Sequence, residues 1–374
     1  MKILISRTEL YNGLQRVFSV VPQKPTLPVL ANFLLRIEGG KLSISGTDMD
    51  ISISTSVECT TEGNGSITVN AKRFLDIIRE LPEGDVNITI EGERLTVDFK
   101  QGESSVMGMS ADGYPSLKDT LDGVSVTISG KDLDTMVDKT SFSVAADRTR
   151  LSLTGVYWKV TRDEVTMVAT DGHRLSLFEK KIKVETDQET EAIIPPKALN
   201  QVTKIQSSGI TIQNIVFSKG AVLFNFGSTI VFSKLIEGPY PNYRQVIPLN
   251  NSKKVYISTD ELSSAVRRVS VLSNSITHQV RFSLSSGTME LTTTNADIGG
   301  EAREAVGIRY EGEPLTVGYN ASFLLEILRK VDTGEVLLEL ETPTTACILK
   351  PVKTDEGDTS GEYLYLIMPL RISD

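Results

Sequence analysis

The segment Lys2–Leu10 decides the fold, because its pattern returns twice further along the chain. It reads KILISRTEL, and the later copies are SVTISGKDL over Ser125–Leu133 and KVYISTDEL over Lys254–Leu262. In each copy, alternating strand residues end at a serine, and an acidic residue follows three positions later. That spacing fits a capping box, in which the serine accepts from a backbone N–H and the acid reaches back. The sequence therefore predicts the same strand-to-helix change in three successive repeats.

A shorter unit recurs inside each third of the chain. It reads ITVNAKRFLDII at Ile67–Ile78, AIIPPKALNQV at Ala192–Val202 and LTVGYNASFLLEIL at Leu315–Leu328. Each copy again runs from strand into helix, and two strands around a turn follow, as in the segment 86–99. We therefore predict an α+β fold of three tandem domains, each built from two strand-helix-strands units. The predicted domains are residues 1–122, 123–251 and 252–374.

The composition is typical of a soluble globular protein of several domains. The chain has 374 residues, of which 40% are hydrophobic and 23% charged. No apolar run reaches the roughly 20 residues of a membrane helix, and the N-terminal segment lacks the long apolar stretch of a signal peptide. Two cysteines, Cys59 and Cys347, are too few for a disulfide framework. We expect a cytoplasmic protein with no membrane partner.

The distribution of basic residues qualifies the acidic balance of the chain. A net charge of -9 argues against a nucleic-acid-binding function, because Lys and Arg drive phosphate binding. However, every predicted helix ends in basic residues, which are Arg16, Arg79, Lys139, Lys204, Arg267, Arg268, Arg329 and Lys330. Cations at helix C-termini also complement the helix dipole, so this pattern has a purely structural explanation. If the helices share one wall, that wall is positive despite the overall charge.

The sequence shows no motif of a metal, nucleotide or covalent catalytic site. It contains only two histidines, His173 and His278, and it has neither a phosphate-binding loop nor zinc-ligand spacing. Asp171-Gly-His-Arg174 is the one string that could hold an acid–base pair, but a polar turn around the glycine explains it better, because no nucleophile or oxyanion motif accompanies it. We therefore expect no catalytic residue, no metal and no cofactor. An enzyme centred on Asp171 and His173 remains an alternative.

Four further strings, in this order and at this spacing, carry a resemblance to a known family. They are KPTLPVL at Lys24–Leu30, ATDGHRL at Ala169–Leu175, YPNYRQV at Tyr240–Val246 and MPLRI at Met368–Ile372. Together with the repeat, they make the whole chain resemble the bacterial DNA polymerase III beta subunit family, the sliding clamps. The resemblance implies a processivity factor that encircles duplex DNA without reading its sequence and tethers the replicative polymerase.

The family's fold also sets the number of chains in the ring, with the helices lining the pore. With helix axes about 9 to 10 Å apart, six helices side by side would form a circle too narrow for a duplex. Twelve helices leave an opening of roughly 25 Å once helix radii are removed, which accommodates B-DNA about 20 Å wide. The resemblance therefore implies a closed ring of two chains joined head to tail, a homodimer.

The resemblance implies a hydrophobic cleft for short peptides bearing Leu and Phe. The partners would be double-stranded DNA, the DNA polymerase III alpha subunit, the clamp loader, and other polymerases and repair proteins that carry clamp-binding peptides. The matching cleft positions are Leu153, Thr170, Gly172, His173, Arg174, Leu175, Pro241, Gln245, Val246, Thr345, Leu366, Ile367, Met368, Pro369, Leu370 and Arg371. Apolar members would form the floor, while Arg174 and Arg371 would hold polar groups of the peptide at the rim.

Two further sets of residues are candidates for binding DNA and a second copy of the chain. The candidates for DNA are Lys24, Arg73, Arg79, Lys139, Arg150, Lys197, Lys204 and Arg268. For the dimer interface, the resemblance implies that Val271 and Leu272 of the third domain meet Phe74, Ile78 and Met107 of the first domain, although core packing is an alternative for an apolar pair at a helix end. A repeat scaffold that binds peptides and never encircles DNA is the rival interpretation, because the chain is acidic and has a modest number of basic residues.

Overall fold

The computed structural model describes residues 1–100, 102–184, 186, 188–353 and 361–372. Its α-helices are α1 (Arg7–Phe18), α2 (Ala71–Glu80), α3 (Gly130–Thr140), α4 (Pro196–Ser207), α5 (Thr259–Ser270) and α6 (Ala321–Leu328). Short 3₁₀ helices cover Pro28–Ala31, Ala111–Gly113, Ser141–Ser143, Leu151–Thr154 and Tyr243–Val246.

The β-strands are β1 (Lys2–Ser6), β2 (Asn32–Glu38), β3 (Lys41–Thr47), β4 (Ile51–Glu58), β5 (Thr60–Glu62), β6 (Gly65–Asn70), β7 (Asp85–Glu91), β8 (Arg94–Phe99), β9 (Gly102–Met107), β10 (Val124–Val126), β11 (Val156–Val160), β12 (Glu164–Thr170), β13 (Arg174–Lys181), β14 (Thr190–Ile194), β15 (Asn214–Ser218), β16 (Ala221–Asn225), β17 (Thr229–Lys234), β18 (Lys253–Ser258), β19 (Gln279–Ser285), β20 (Thr288–Asn295), β21 (Gly300–Gly307), β22 (Leu315–Asn320), β23 (Glu335–Leu340), β24 (Cys347–Pro351) and β25 (Glu362–Ile367). The predicted combination of helices and strands is confirmed.

The strand-to-helix junctions lie where the sequence predicts them. Each of the helices α1 to α6 begins within a few residues of the end of a strand. The Ser129 hydroxyl accepts from the backbone N–H of Asp132 at 3.1 Å, and the Ser258 hydroxyl accepts from Glu261 at 3.3 Å. Ser6 differs, because its side chain caps no backbone N–H within the described residues. The capping prediction is therefore confirmed at two junctions and wrong at the first.

Most of the helices end in a basic residue, as predicted, but α6 does not. The last turns of α1 to α5 contain Arg or Lys, whereas α6 ends at Leu328 and has no basic residue in its last turn as described. Arg329 and Lys330 follow the end of the helix. The backbone N–H groups of both residues still bond to carbonyls of α6. Helix α6 therefore ends before the basic residues that the sequence pattern placed in its last turn.

The chain divides into two compact units. The first unit comprises Met1–Leu133, Glu185–Thr190 and Lys197–Ile236. It contains a five-stranded sheet in the order β5-β1-β7-β8-β9 and an eight-stranded sheet in the order β10-β15-β16-β17-β4-β3-β2-β6. Helix α1 packs on α2, β3 and β4. Gly13 permits this approach, since a Cβ there would lie 3.0 Å from both Ile44 and Val57 side chains.

The second unit comprises Asp134–Val184, Glu191–Pro196 and Glu237–Asp374. It contains an eight-stranded sheet in the order β14-β11-β12-β13-β25-β24-β23-β18 and a four-stranded sheet in the order β21-β20-β19-β22. Helix α5 packs on α6 and on strands of the four-stranded sheet, while α6 contacts β22 and β25. No described helix is both long enough and apolar enough to cross a membrane.

The eight-stranded sheets join strands from neighbouring repeats. In the first unit, β17 of the middle repeat pairs with β4 of the first repeat, from Thr229 opposite Thr55 to Ser233 opposite Ile51. In the second unit, β13 pairs with β25 of the third repeat. The three sequence repeats therefore do not each form sheets of their own, because an edge strand of one repeat pairs with a strand of a neighbouring repeat.

Candidate functional site

A cleft on the eight-stranded sheet of the second unit is the candidate functional site. Its volume is about 510 Å³. The floor consists of buried side chains, among them Leu175 of β13 and Leu366 of β25, which lie directly opposite each other in the sheet. Alternation along β12 and β13 places Val168 and Leu177 in the same apolar cluster, and Ala346, which precedes β24, joins it. The sheet therefore supplies a rigid apolar base.

The walls of the cleft are more exposed than its floor. The 3₁₀ helix Tyr243–Val246 forms one wall, in which the Val246 side chain is 54% exposed. Met368, which follows β25, is 40% exposed and also belongs to the lining. Such apolar side chains lose contact with water when a ligand covers them, and this favours binding. The cleft therefore suits a short apolar ligand segment.

Stacked tyrosines hold the 240–247 segment against the sheet. The rings of Tyr157 and Tyr240 stack with centroids 5.0 Å apart, and Tyr243 lies 6.1 Å from Tyr157. The Tyr157 hydroxyl donates to Glu191 at 2.7 Å. Burial, and then this hydrogen bond, raises the pKa of Tyr157, so its hydroxyl remains a donor at neutral pH. The stacked tyrosine rings therefore hold in place the wall of the cleft that residues 243–246 form.

The turn Asp171–Arg174 forms the rim of the cleft. The Asp171 carboxylate accepts from the backbone N–H groups of His173 at 2.8 Å and Arg174 at 3.0 Å. Gly172 has φ +90°, a left-handed conformation that favours glycine. The carboxylate thus organises the turn. The imidazole of His173 stacks on Phe323, with centroids 6.2 Å apart, so Asp171 and His173 serve different contacts.

The two arginines of the cleft lining differ in exposure. Arg174 is buried, and its guanidinium bonds to Asp171 at 3.1 Å and to Glu326 of α6 at 2.5 Å. Arg150 is exposed and donates to the backbone carbonyl of Asp171 at 2.8 Å. Arg174 lies in the cleft lining, and its charge is already compensated by acidic side chains. The expectation that it holds polar groups of a peptide at the rim stays a prediction.

The structure brings most of the predicted cleft residues together. The predicted residues that line the cavity are Leu153, Thr170, Gly172, Arg174, Leu175, Pro241, Gln245, Val246, Thr345, Leu366 and Met368. His173, Ile367, Pro369, Leu370 and Arg371 do not line it. Ile367 points to the opposite face of β25, as strand alternation requires, and is buried there. The Leu370 backbone bonds to Gly318, which directs the C-terminal segment along β22.

The sequence prediction missed several residues of the cleft lining. They are Asn242, Tyr243, Ile247, Pro248, Ala346 and, as a cleft residue, Arg150. Asn242 and Tyr243 lie inside the quoted string YPNYRQV, so the sequence could have predicted them as neighbours of Pro241 and Val246 in the lining. Arg150 was assigned to DNA, whereas the structure places it in the cleft lining. Its position depends on the turn at Asp171, which is 21 residues away in sequence.

Most candidate DNA residues are exposed, and some are paired with acids. Arg79 pairs with Asp76 and Glu80, Lys197 with Asp48, and Arg268 with Glu304. Lys24, Arg73 and Lys204 are exposed and form no ion pair with the residues that the structure describes. These last three cations retain the most charge for a phosphate backbone.

Lys139 is the exception among these candidates, and its assignment to DNA is wrong. Its side chain is 7% exposed, and its ammonium group donates to the Lys330 carbonyl at 2.6 Å and to Asp332 at 2.8 Å. The ammonium also lies 4.6 Å from the ring centroid of Tyr363. The cation is therefore used inside the fold. Its location at a helix end did not reveal these distant partners.

The candidate interface residues separate into exposed and buried groups. Met107 is 68% exposed and Val271 is 76% exposed, while Leu272 is half-buried. Phe74 and Ile78 are fully buried, and their assignment to the interface is wrong. These two side chains lie on the apolar face of α2 that packs into its own domain. A second copy of the chain cannot contact them without unfolding this core.

The fold and the cleft define a class of protein, which the comparisons identify. Family models of the DNA polymerase III beta subunit match residues 1–118 (N-terminal domain), 127–242 (central domain) and 244–371 (C-terminal domain). The chain therefore has three tandem clamp domains, and its class is the sliding clamps of DNA replication.

Similar proteins cover the chain completely. The beta sliding clamp of Proteus mirabilis is 32% identical over 375 residues, and that of Haemophilus influenzae is 31% identical over 374 residues, each covering 100% of both chains. A solved DNA polymerase sliding clamp from Pseudomonas aeruginosa has a TM-score of 0.92 at 28% identity, with 100% of both chains covered. This chain belongs to the DNA polymerase III beta subunit family.

Proposed function

We propose that two copies of this chain close head to tail into a ring around duplex DNA. The ring tethers the replicative polymerase and catalyses no reaction itself. It works in the cytoplasm and reads no base sequence. The observation that carries this proposal is the pair of long sheet edges, β9 and β21, that the single chain leaves open.

The two open edges are the terminal strands of two different sheets. The five-stranded sheet of the first unit ends at β9, and the four-stranded sheet of the second unit ends at β21. Neither edge carries an isolated bridge to another described residue, whereas the edge strands β6, β18 and β22 do. An open edge of this length readily pairs with another chain. Pairing of β9 with β21 of a second copy would complete both sheets.

Exposed apolar side chains next to these edges support the same interface. Met107 is the last residue of β9. Near the start of β21, Ile298 is 63% exposed, and Leu272 lies 3.4 Å from where a Cβ on Gly300 would be. Val271 adds a further exposed apolar side chain. Such anchors beside a backbone ladder are typical of stable oligomer contacts.

The DNA-binding surface would be formed by the helices, with the exposed cations Arg73 of α2 and Lys204 of α4 foremost, and by exposed Lys24 in the segment after α1. Enclosure holds the ring on DNA, so a few phosphate contacts suffice and the remaining surface can be acidic. The proposed domains are residues 1–122, 123–251 and 252–374. The family models support the first division, because one ends at 118 and the next begins at 127. They place the second division between 242 and 244, a few residues before the proposed start of the third domain.

The cleft of the second unit would receive peptides from the polymerase alpha subunit, the clamp loader and other replication and repair proteins. Its apolar floor and exposed apolar walls support this role. A peptide that inserts a leucine or phenylalanine would gain about 1.5–3 kcal/mol for each side chain that it buries fully.

Retention on DNA tests the ring. After loading by its cognate loader onto a nicked circular plasmid, the protein should remain bound through gel filtration at about 0.3 M salt. It should leave within minutes when the plasmid is linearised, because an enclosed duplex releases a ring only at an end. Equal retention on circular and linear DNA would refute enclosure. A linear plasmid blocked at both ends by bound protein is the matched control, and it should retain the ring.

A further inference from the structure

The turn between β3 and β4 presents a carboxylate to a cation of a different repeat. Asp48, in this turn, forms an ion pair with Lys197, which lies in the first turn of α4. The two residues are 149 positions apart in the chain, and both belong to the first unit. Lys197 is a candidate DNA contact, and its side chain is 50% exposed. This pair therefore determines how much positive charge the start of α4 offers to a phosphate.

Hydrogen bonds within the turn fix the Asp48 carboxylate in place. Its Oδ1 accepts from the backbone N–H groups of Asp50 at 3.1 Å and Ile51 at 2.8 Å, while its Oδ2 contacts the Lys197 ammonium. The Thr47 hydroxyl closes the same turn, because it donates to the Ile51 carbonyl at 2.8 Å. The Asp48 side chain is only 17% exposed. The acid is therefore held rigidly, and the lysine on its flexible stem is the partner that can move.

The same turn occurs in the middle repeat, where its acid also holds a cation. Asp171 accepts from the backbone N–H groups two and three positions later, and Thr170 donates to the carbonyl four positions later, as in the β3–β4 turn. The second carboxylate oxygen of Asp171 bonds to the buried Arg174. The corresponding oxygen of Asp48 bonds instead to a half-exposed lysine. Both copies of the turn thus use one oxygen for the backbone and the other for a cation.

The equivalent lysine of the first repeat has no such partner. The units ITVNAKRF and AIIPPKAL align Lys72 of α2 with Lys197 of α4. Lys72 is exposed, and no acid among the residues that the structure describes forms an ion pair with it. Pairing with a carboxylate is therefore specific to Lys197 and is not a general property of lysines at this position of the repeated unit.

We propose that Asp48 limits DNA binding by occupying Lys197, so that this lysine contacts a phosphate only when it leaves the carboxylate. The proposal rests on the proposed function of the chain as a ring around DNA. Because an ion pair must be broken first, the phosphate contact gains less free energy than a contact from an unpaired lysine would. Such a contact forms and breaks easily, which suits a ring that moves along the duplex.

The test compares DNA binding by the full-length wild-type protein and by Asp48→Asn. An asparagine keeps an oxygen for the Asp50 and Ile51 N–H groups, so the turn is retained while the negative charge is removed. Fluorescence anisotropy measures the dissociation constant for a short duplex with open ends over a series of salt concentrations. Asp48→Asn should bind about three- to eightfold more tightly at about 0.1 M salt, and the salt slope should steepen by about 0.9, as for one additional phosphate contact.

Asp50→Asn is the matched control, because Asp50 lies in the same turn and pairs with Lys234 of β17 instead. It removes the same charge two positions away, so both variants share any general loss of repulsion between acid and phosphate. Its salt slope should equal that of the wild-type protein. In a Lys197→Gln background, Asp48→Asn should tighten binding no more than Asp50→Asn does, because the lysine that the change releases is missing.

The outcomes separate this proposal from the proposed ring. Wild-type affinity and salt slope in Asp48→Asn would overturn it, as would an equal gain in Asp50→Asn or a gain that persists in full without Lys197. If Asp48→Asn does not fold, Asp48→Ser also offers an oxygen to the turn and should show the same gain. Failure of the wild-type protein to remain on circular DNA after loading would instead refute the ring itself.

Discussion

The buried cation Lys139 predicts an asymmetry between two substitutions that break the same ion pair. The Lys139 side chain is 7% exposed, whereas Asp332 is 63% exposed. In Asp332→Ala, the ammonium stays buried with the Lys330 carbonyl and the Tyr363 ring as its remaining neighbours. In Lys139→Met, the cation is replaced by an apolar chain of similar length, and Asp332 returns to water. The first change should therefore be the more destabilising.

The magnitudes follow from the contacts that each substitution removes. Asp332→Ala loses a hydrogen bond to a buried charge, and also the acceptor of the Tyr363 hydroxyl, which should cost about 2–3 kcal/mol. Lys139→Met removes the need to bury an ammonium group, and Tyr365 still donates to the Lys330 carbonyl, so the cost should be about 0–1 kcal/mol. DNA affinity should not change in Lys139→Met, because this cation is not at the surface.

Urea unfolding followed by tryptophan fluorescence measures this difference in the appropriate part of the chain. Trp158 is the single tryptophan. It is fully buried on β11, in the same eight-stranded sheet as Tyr363 on β25. The midpoint should fall clearly in Asp332→Ala and little in Lys139→Met. Equal losses, or a larger loss in Lys139→Met, would refute the reasoning that desolvation of the ammonium decides the balance.

The same pair gives a pH dependence of defined sign. Burial alone would raise the pKa of Asp332, but the hydrogen bonds that it accepts from Lys139 and Tyr363 together lower the pKa below its ordinary value of 3.8. A lowered carboxyl pKa stabilises the fold above the unfolded-state pKa, and this stability is lost as the pH falls through the folded-state pKa. The difference in unfolding free energy between the wild-type protein and Asp332→Ala should have its full value above about pH 4. It should shrink toward zero as the pH falls below that value.

Three further pairs of substitutions, each a test with its control, concern the dimer interface, the DNA-binding surface and the helix caps. Val271→Asp should give monomers in sedimentation velocity at micromolar concentration, while Leu249→Asp, at a 91% exposed side chain, should remain dimeric; a dimeric Val271→Asp would contradict the proposed interface. Arg73→Ala should reduce the salt slope of DNA binding by about one, while Arg73→Lys should preserve it. Ser258→Ala should cost about 1 kcal/mol of unfolding free energy, and Ser6→Ala clearly less, because Ser258 caps its helix and Ser6 does not.

The repeat, the helices and most of the cleft could be predicted from sequence because their signals are local. Strand alternation and the serine caps at Ser129 and Ser258 lie within short segments, and the strings at 169–175 and 240–246 each contribute several residues to the cleft lining. Residues next to a predicted site in sequence are often next to it in space. This explains why the floor residue Leu175 and the wall residue Val246 were both found.

The errors arise where distant segments decide the outcome. Lys139 looked like an exposed cation at a helix end, but residues 330–332 and 363 enclose it. The resemblance assigned Phe74 and Ile78 to the dimer interface, but both lie on the apolar face of α2 and are buried in the core. The contact between Arg174 and Glu326 had no sequence signal, since 152 residues separate the two side chains in the chain.

The sharing of sheets between repeats has a consequence for synthesis of the chain. Strand β4 ends at Glu58, and its partner β17 begins at Thr229, so the ribosome must add roughly 170 residues before this edge can be covered. At about 5–20 residues per second, the interval is about 10–30 s. During that time the nascent N-terminal segment presents an unpaired strand that could join a neighbouring nascent chain on the same polysome. A fragment ending near residue 122 would keep that liability permanently, and the repeats therefore cannot be produced or exchanged one at a time without protecting this edge.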